Sequence, residues 1–290
     1  AATFIITLGA LDLSVGSIMA VSGAVSMQLL ADSSQPNSVS AVLGAVGLSL
    51  LVGAGLGAFS GILVSVVRLQ PFITTLIMMI AGRGLANIIT GGKNTSARSD
   101  TFTSIVQARV FGFPMGAILA FAVLIIVALV VRRTALGMTI EAVGINPVAS
   151  QLAGIRSKNV LFLVYAVSGL TAAIAGVFSV AYVSVVEVSS TGTGSLIEMD
   201  AILAVVIGGT SLAGGKFSLA GSTLGAIVIT ALNDTVVYLG VSSAATPAFK
   251  AVVIIGVCLL QSERFRSWFV VRKPSQPTKV ESVENVESTV

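Results

Sequence analysis

The sequence predicts an all-α protein, a polytopic bundle of transmembrane helices, and three observations support that fold class. The mean hydropathy is +1.01. Charged residues make up only 10% of the chain, whereas a soluble domain carries roughly 25%. Apolar runs of about 17–25 residues, the length that crosses a bilayer as a helix, recur along nearly the whole sequence. We therefore expect one integral membrane domain, residues 1–262.

Apolar segments follow one another along the chain and are separated by polar turns. The first segment has the character of the second half of a helix, so we expect the sequence to lack an N-terminal part. The last residues, 263–290, are charged and rich in Ser, Val and Pro, and we expect a disordered tail. The nine predicted spans and part-spans are residues 1–10, 13–30, 39–67, 72–90, 115–131, 160–186, 200–213, 217–239 and 248–260.

Glycines recur at helical spacing in the third of these segments. Gly53, Gly57 and Gly61 are four residues apart and therefore share one face of a helix. Small residues on one face allow another helix backbone to approach closely within a membrane. We interpret this face as a site of tight helix packing rather than as part of a transport route.

The longest polar interruption that also carries a dense positive charge is the loop of residues 132–159. It contains four Lys and Arg residues and a single acid, Glu141, and loops of this charge stay on the cytoplasmic side of a membrane. Two short helices are predicted inside it. The first is 139–143, ended by Gly144 and Pro147, and the second is 148–153, ended by Gly154. Helices presented on the membrane face by two rigid spans form a docking surface, which is our hypothesis for this loop.

The distribution of Lys and Arg agrees with that orientation. With the loop in the cytoplasm, alternating spans place Arg68, Lys216 and the basic residues of the C-terminal tail inside as well. Lys93 and Arg109 then lie outside. Because cytoplasmic loops carry the excess of cations, we expect the C-terminus to be cytoplasmic.

The composition excludes several kinds of chemistry. The chain has no histidine, the commonest general base and zinc ligand, and its only cysteine, Cys258, cannot form an intrachain disulfide. The net charge of +4 is of the kind that sets membrane topology, so no nucleic acid partner is expected. The glycines before Lys216 lack the spacing of a phosphate-binding loop. We expect no catalytic residue, no cofactor and no metal, and any ATP to be bound by another subunit.

Four ionisable residues fall inside or at the start of apolar segments: Asp12, Arg83, Asp200 and Asp234. Such residues are costly in a bilayer, at roughly 2.5–3.5 kcal/mol each, and are functional candidates for that reason. Asp12, together with Ser14, and Asp200 either cap helices or offer polar groups to a hydroxylated substrate. Arg83 either pairs with a carboxylate across the bundle or extends to the membrane interface.

A second pattern relates the two halves of the chain. Asp12 and Asp200 each precede a span, and Pro71 and Pro247 each open one, five crossings apart in both cases. An odd offset means that the two halves face opposite ways. This arrangement is typical of inverted repeats, which place a transport pathway between the halves.

Four parts of the chain carry recognisable motifs. They are 11–17, similar to GIDLSVGS; 69–76 with 83–84, similar to IxPFIxTL…RG; 141–147 with 153–155, similar to a cytoplasmic coupling loop; and 200–209 with 214–215, similar to a late glycine-containing signature. In these motifs the chain resembles one family, the integral-membrane permeases of bacterial sugar ABC importers of the ribose, arabinose and autoinducer type. Together the motifs cover most of residues 8–262 in the expected order. Residues 136–146 look nearest to the galactofuranose branch of that family.

The resemblance implies an inverted-repeat importer permease of ten spans, with the first span and part of the second absent here. It implies a cytoplasmic ATPase subunit, a second permease subunit in a homo- or heterodimer, and an extracytoplasmic sugar-binding protein. The protein is expected in the bacterial cytoplasmic (inner) membrane, as a multi-pass protein in contact with membrane lipid. It is expected to carry a monosaccharide, a pentose or a hexose such as galactofuranose, into the cytoplasm by alternating access.

Two sets of candidate residues follow. Those expected to couple an ATPase to the spans are Glu141, Ala142, Gly144, Asn146, Pro147 and Gly154. Those expected in the translocation pathway, or as buried polar groups, are Asp12, Ser14, Arg83, Asp200 and Asp234.

Two other functions stay open at this point. A permease of the same architecture could carry branched-chain amino acids or nucleosides. An ion-coupled secondary transporter would need no ATPase, and its coupling would depend on Asp12, Asp200 and Asp234. An intramembrane enzyme is disfavoured, because the sequence has no paired histidines, no nucleophile with a base and no metal-ligand cluster.

Overall fold

The computed structural model describes residues 1–187, 193–240, 248–249, 251–252 and 255–256. The chain divides into two compact units, Ala1–Thr235 and Val236–Val290, and the first contains nearly all of the described residues. The predicted tail, residues 263–290, lies outside the described residues, as does Pro247 of the predicted repeat. Most of the predicted span 248–260 does so too, and these predictions stay predictions.

Helices make up most of the described chain. They are α1 (Ala2–Thr7), α2 (Val15–Ala31), α3 (Val39–Ser65), α4 (Pro71–Ile89), α5 (Asp100–Gln107), α6 (Met115–Arg133), α7 (Leu136–Ile145), α8 (Pro147–Leu152), α9 (Ser157–Val183), α10 (Ile197–Ile207) and α11 (Leu219–Tyr238). The strands form two antiparallel pairs, β1 (Thr95–Ser96) with β4 (Val185–Val186), and β2 (Arg109–Val110) with β3 (Phe113–Pro114).

Five helices in the described part of the chain are long and apolar enough to cross a membrane. They are α3, α4, α6, α9 and most of α11. The shorter helices α1, α2 and α10 coincide with three of the predicted part-spans or short spans. The predicted fold class, an all-α polytopic membrane protein, is therefore confirmed.

The first apolar stretch is interrupted, which the sequence pattern does not predict in full. Helix α1 ends at Thr7, and the short span expected at residues 13–30 begins only at Val15. Residues 8–14, which we call the α1–α2 break, are not helical, and Gly9 has a φ of 71°. Inside a membrane a broken helix is tolerated only where protein covers it or where it lines a cavity. The break is therefore a place to look for a transport site.

Helix α10 is half as long as a span, as predicted. Its 11 residues give a length of about 16 Å, against a hydrocarbon core of roughly 30 Å. Leu196 precedes it with a φ of 59°, and Gly209 follows it with a φ of 86°. Left-handed backbone at both ends stops the helix from extending in either direction.

Helices α3 and α9 pack with their backbones almost in contact. A Cβ atom added at Gly57 would lie 2.5 Å from the carbonyl oxygen of Tyr165 and 2.7 Å from the Cα of Gly169. Gly53 and Gly61 face α9 in the same way. The predicted glycine face is confirmed as a helix-packing surface.

The first unit has two ends, each with its own apolar core. At the α5 end, the Ser99 hydroxyl donates to the Pro36 carbonyl at 2.6 Å, and the buried residues include Met27, Leu30, Phe102 and Val180. At the α7 end, the Gly215 amide donates to the Thr7 carbonyl at 2.9 Å, and the buried residues include Phe4, Val131, Ile140 and Tyr165.

Candidate functional site

The carboxylate of Asp12 is buried in the α1–α2 break and accepts hydrogen bonds from two segments. Its Oδ1 accepts from the backbone amide of Ser14 at 2.9 Å and also from the Ser14 hydroxyl. Its Oδ2 accepts from the Ser168 hydroxyl of α9 at 2.8 Å. Ser14 stands at the N-cap of α2, but its side chain makes no capping hydrogen bond. The helix-cap interpretation of Ser14 is therefore wrong, because the hydroxyl is used to hold Asp12.

This carboxylate lies deep in the bundle. Ser168 is roughly 17 Å along α9 from Ser157, at a rise of ~1.5 Å per residue. Because α9 is long enough to span a membrane, that distance places Asp12 near the middle of a hydrocarbon core of roughly 30 Å. A charge at this depth needs several donors, and Asp12 has three.

Arg83 of α4 forms an ion pair with Glu198, in the first turn of α10. Nη2 of Arg83 lies 3.3 Å from Oε1 of Glu198 and also donates to the carbonyl of Gly194 at 3.4 Å. The Glu198 side chain is only 4% exposed, against 28% for Arg83. Of the two interpretations open for Arg83, pairing across the bundle is confirmed and extension to the interface is wrong.

Glu198 was not among the residues predicted from the sequence, which places it at the end of a Ser/Thr/Gly-rich connector. The feature that could have identified Glu198 from the sequence is its position two residues before Asp200, at the start of the half-length helix. Oε2 of Glu198 is buried and has no hydrogen-bond partner within the described part of the chain. It is therefore a buried carboxylate oxygen whose hydrogen-bonding capacity is unused by the described residues.

The N-terminal ends of α2 and α10 meet at this level. Gly16 lies against Oε2 of Glu198 and the carbonyl of Gly194, so a side chain at Gly16 would collide with both. Helix N-termini carry a partial positive charge, which favours carboxylates and hydroxyl oxygens. We call Asp12, Ser14, Arg83, Ser168 and Glu198 the midplane cluster.

Asp200 and Asp234 have different surroundings. Oδ2 of Asp200 accepts from the side-chain amide of Asn233 at 3.2 Å, which joins α10 to α11. Asp234 is exposed and lines an open groove with residues of α6, among them Phe121 and Leu124. Sequence reasoning could not separate the three predicted carboxylates, Asp12, Asp200 and Asp234, because each is simply an acid inside or at the start of an apolar segment.

The loop of residues 132–159 contains two short helices, as predicted, with shifted bounds. Helix α7 begins at Leu136 and includes Gly144, so this glycine does not end it. Asn146 separates the two helices, and its Oδ1 accepts from the amides of Val148 and Ala149, each at 3.0 Å. Pro147 is the first residue of α8, and Gly154 follows α8 with a φ of 86°, as a helix-ending glycine does.

Two of the predicted coupling residues face the bundle rather than the solvent. Oε1 of Glu141 accepts from the backbone amide of Phe217 at 3.4 Å. Gly144 lies directly against the Thr7 carbonyl, and Ala142 beside them is half-buried. This side of α7 therefore contacts the end of α1 and the segment between α10 and α11.

Four large apolar side chains of the two helices are exposed, which the sequence did not reveal. They are, with their exposed fractions, Met138 (72%), Ile145 (65%), Val148 (69%) and Leu152 (86%). We call these four residues the α7–α8 face. Exposed apolar residues in this number mark an interaction surface.

No group of three or more acidic, histidine or cysteine side chains that could hold a metal occurs within the described residues. The midplane cluster contains hydrogen-bond donors and acceptors, with neither an activated nucleophile nor a paired base. Chemically, it can bind a polar molecule.

Comparison with known proteins agrees with the geometry. Residues 1–260 match the family described as "Branched-chain amino acid transport system / permease component". The fructose import permease protein FruF of Bifidobacterium longum is 47% identical over 97% of this chain and 78% of its own length. The galactofuranose transporter permease protein YtfT of Escherichia coli is 40% identical over 91% of this chain and 75% of its own length.

A third relative, the ribose import permease protein RbsC of Escherichia coli, is 37% identical over 90% of this chain and 80% of its own length. No solved structure matches this chain. The resemblance noted in the sequence is thus confirmed by relatives that include the galactofuranose permease. With its spanning helices and a match over nearly its whole length, the chain is a multi-pass membrane protein that belongs to the family of branched-chain amino acid transport system permease components.

Proposed function

We propose that this chain is the membrane-embedded permease subunit of an ATP-driven importer of a monosaccharide. The observation that carries the proposal is its similarity, over 90% or more of the chain, to permeases for fructose, galactofuranose and ribose. A transport subunit of this kind makes no covalent bond. ATP is bound and hydrolysed by a separate cytoplasmic subunit.

The α7–α8 face is the docking surface for that ATPase. Its exposed apolar side chains supply contact area, while α7 also contacts Thr7 through Gly144 and Phe217 through Glu141. Movement of α7 is therefore passed to α1 and to the segment between α10 and α11. Helix α1 leads through the α1–α2 break to Asp12, and the segment before α11 follows α10, whose first turn contains Glu198.

The midplane cluster is the part of the translocation pathway where substrate is bound or passed. Carboxylates and a guanidinium suit sugar hydroxyl groups, which both donate and accept hydrogen bonds. The α1–α2 break and the non-helical ends of α10 allow the bundle two alternative packings. One is open to each side of the membrane, as alternating access requires. ATPase binding and release shift the population between these packings.

The orientation follows from charge. Arg68, Arg156 and Lys158 lie together at the α7 end, and Lys216 lies in the segment that contacts α7 there. By the positive-inside rule this end faces the cytoplasm of the bacterial inner membrane. The α5 end then faces an extracytoplasmic sugar-binding protein, and a second permease subunit completes the pathway. The same rule places the C-terminus in the cytoplasm.

The experiment is an uptake assay in cells that express the full-length chain with its ATPase and binding protein. We expect ATP-dependent uptake of labelled fructose, ribose or galactofuranose, and no uptake of labelled leucine. Leucine uptake would support the branched-chain amino acid alternative that the family description names. Uptake that persists without the ATPase, and that an ionophore abolishes, would instead show an ion-coupled secondary transporter.

A further inference from the structure

A basic cavity lies at the α7 end, between the end of α3 and the start of α9. Its volume is ≈ 590 Å³, and its lining includes the cations Arg68, Arg156 and Lys158 and the amides Gln151 and Asn159. None of the described residues that line it is acidic, and none of its three cations forms an ion pair within the described part of the chain. All three cations are exposed, and three like charges around one cavity favour the binding of an anion.

The backbone at Arg68 supports a role for its side chain. Arg68 has a φ of 63°, a left-handed conformation that is normally taken by glycine at the end of a helix. The Leu69 amide donates to the Leu63 carbonyl at 3.1 Å, which fixes this conformation. Strained non-glycine residues are found preferentially at binding sites, and here the strain keeps an arginine where a glycine would fit more easily.

The start of α9 adds to the positive potential. Ser157, Lys158 and Asn159 form the first turn of this 27-residue helix and all line the cavity. The amides of Ser157 and Asn159 already donate to the carbonyls of Ile155 and Arg156, but the positive end of the helix dipole lies here. This partial charge reinforces the three cations, which come from two separate connections of the chain.

The surroundings are those of a membrane surface. Val64 and Leu161, from the ends of the spanning helices α3 and α9, form apolar walls of the cavity. Val66 and Val67, between α3 and the cavity residue Arg68, are 63% and 56% exposed, as lipid-facing residues are. A phosphate bound here would therefore have acyl chains available beside it. Basic pockets between spanning helices on the cytoplasmic side suit anionic lipid headgroups.

We propose that this cavity binds the phosphate of an anionic phospholipid headgroup, such as that of phosphatidylglycerol. This proposal needs the membrane setting but not the sugar specificity, so either can fail alone. The lipid would tie the α3–α4 turn to the start of α9, next to the α7–α8 face. Regulation of transport by lipid composition would follow.

The test compares three full-length proteins: wild type, R68Q/R156Q, and the control R132Q/R133Q, which removes two exposed cations that end α6 and do not line the cavity. Each is reconstituted in an equal mixture of phosphatidylglycerol and phosphatidylcholine, extracted, and weighed with its bound lipid by native mass spectrometry. At roughly fivefold per cation, R68Q/R156Q should lower phosphatidylglycerol affinity about twenty-fivefold. The control should retain the wild-type preference.

Further measurements distinguish a lipid headgroup from free phosphate as the ligand, and milder variants guard against misfolding. Lys158→Gln alone should lower phosphatidylglycerol affinity about fivefold, and Arg156→Lys should retain most of it. Inorganic phosphate in excess should not displace the lipid; displacement would mean a free-phosphate site and would overturn the proposal. Equal lipid retention in all variants would overturn it too. So would loss of ATPase binding with lipid binding intact, which would assign the cavity to protein docking.

Discussion

The Glu198 carboxylate lies 3.3 Å from Nη2 of Arg83, and this ion pair joins two helices that are 115 residues apart in sequence. One partner is almost fully buried, and the other is mostly so. The contact fixes the start of the half-length helix α10 against α4. The arrangement of the midplane cluster therefore depends on it.

Glu198→Gln should destabilise the protein because it leaves the Arg83 charge without its partner. We expect the free energy of unfolding to fall by about 2 kcal/mol. This loss is smaller than that for breaking a fully buried ion pair, because Arg83 is 28% exposed. Thermal unfolding in detergent measures it. The control is Glu187→Gln, an exposed acid before the same connector. The double variant R83Q/E198Q should be more stable than the sum of the two single losses predicts. If the losses in free energy of unfolding of Arg83→Gln and Glu198→Gln simply add in the double variant, the two residues are not coupled.

Asp12→Asn should impair transport more than folding. The amide has one acceptor oxygen, whereas the carboxylate uses both oxygens for Ser14 and Ser168, so about 1–3 kcal/mol of hydrogen bonding is lost. We expect labelled sugar uptake to fall at least about tenfold at unchanged membrane abundance. Asp32→Asn, at an exposed position after α2, is the control. Normal uptake in Asp12→Asn would remove this carboxylate from the pathway.

Gly57→Leu should disrupt the packing of α3 on α9, because even a Cβ there lies 2.5 Å from the Tyr165 carbonyl. We expect a loss of about 3 kcal/mol in the free energy of unfolding, measured by denaturant titration in detergent. Gly55→Leu is a matched control on the same helix, where an added Cβ meets nothing within 4 Å. Equal stability of the two variants would contradict the described packing.

Leu152→Glu should weaken ATPase binding, because it puts a charge on the α7–α8 face at a side chain that is 86% exposed. A loss of about 2 kcal/mol in binding free energy is expected, as at a central interface residue. Co-purification of the ATPase in detergent measures it. Phe111→Glu, a 99% exposed residue near the α5 end, should co-purify as wild type does. The opposite result would place the docking surface at the α5 end.

Gly144→Val should separate docking from transport. The added side chain collides with the Thr7 carbonyl and displaces α1 from α7, while the α7–α8 face is unchanged. We expect ATPase co-purification to persist and sugar uptake to fall roughly tenfold. Ala149→Val, on the exposed side of α8, should have normal uptake. Loss of ATPase binding in Gly144→Val would show that Gly144 supports the docking surface itself.

Much of this architecture is visible in the sequence, because a bilayer demands long apolar helices and the turns between them are polar. The α3–α9 packing is visible as well, since only glycines at four-residue spacing permit such an approach. The α1–α2 break is visible only in part. The predicted segments end at residue 10 and resume at residue 13, but residues 8–14 are as apolar as their flanks apart from Asp12 and Ser14, so the full length of the break is not predicted. Nor could periodicity separate the exposed Leu152 from a buried leucine. Which partner Arg83 takes depends on tertiary structure alone.

The close fit of Gly57 against Gly169 has a mechanical consequence for the bundle. Two helices whose main chains touch have no flexible side chains between them to absorb sliding, so we expect α3 and α9 to move as one rigid unit. Conformational changes of the bundle are then expected at the non-helical segments before α2 and α10. The glycines thus divide the permease into a stationary scaffold and the few short segments that swing against it.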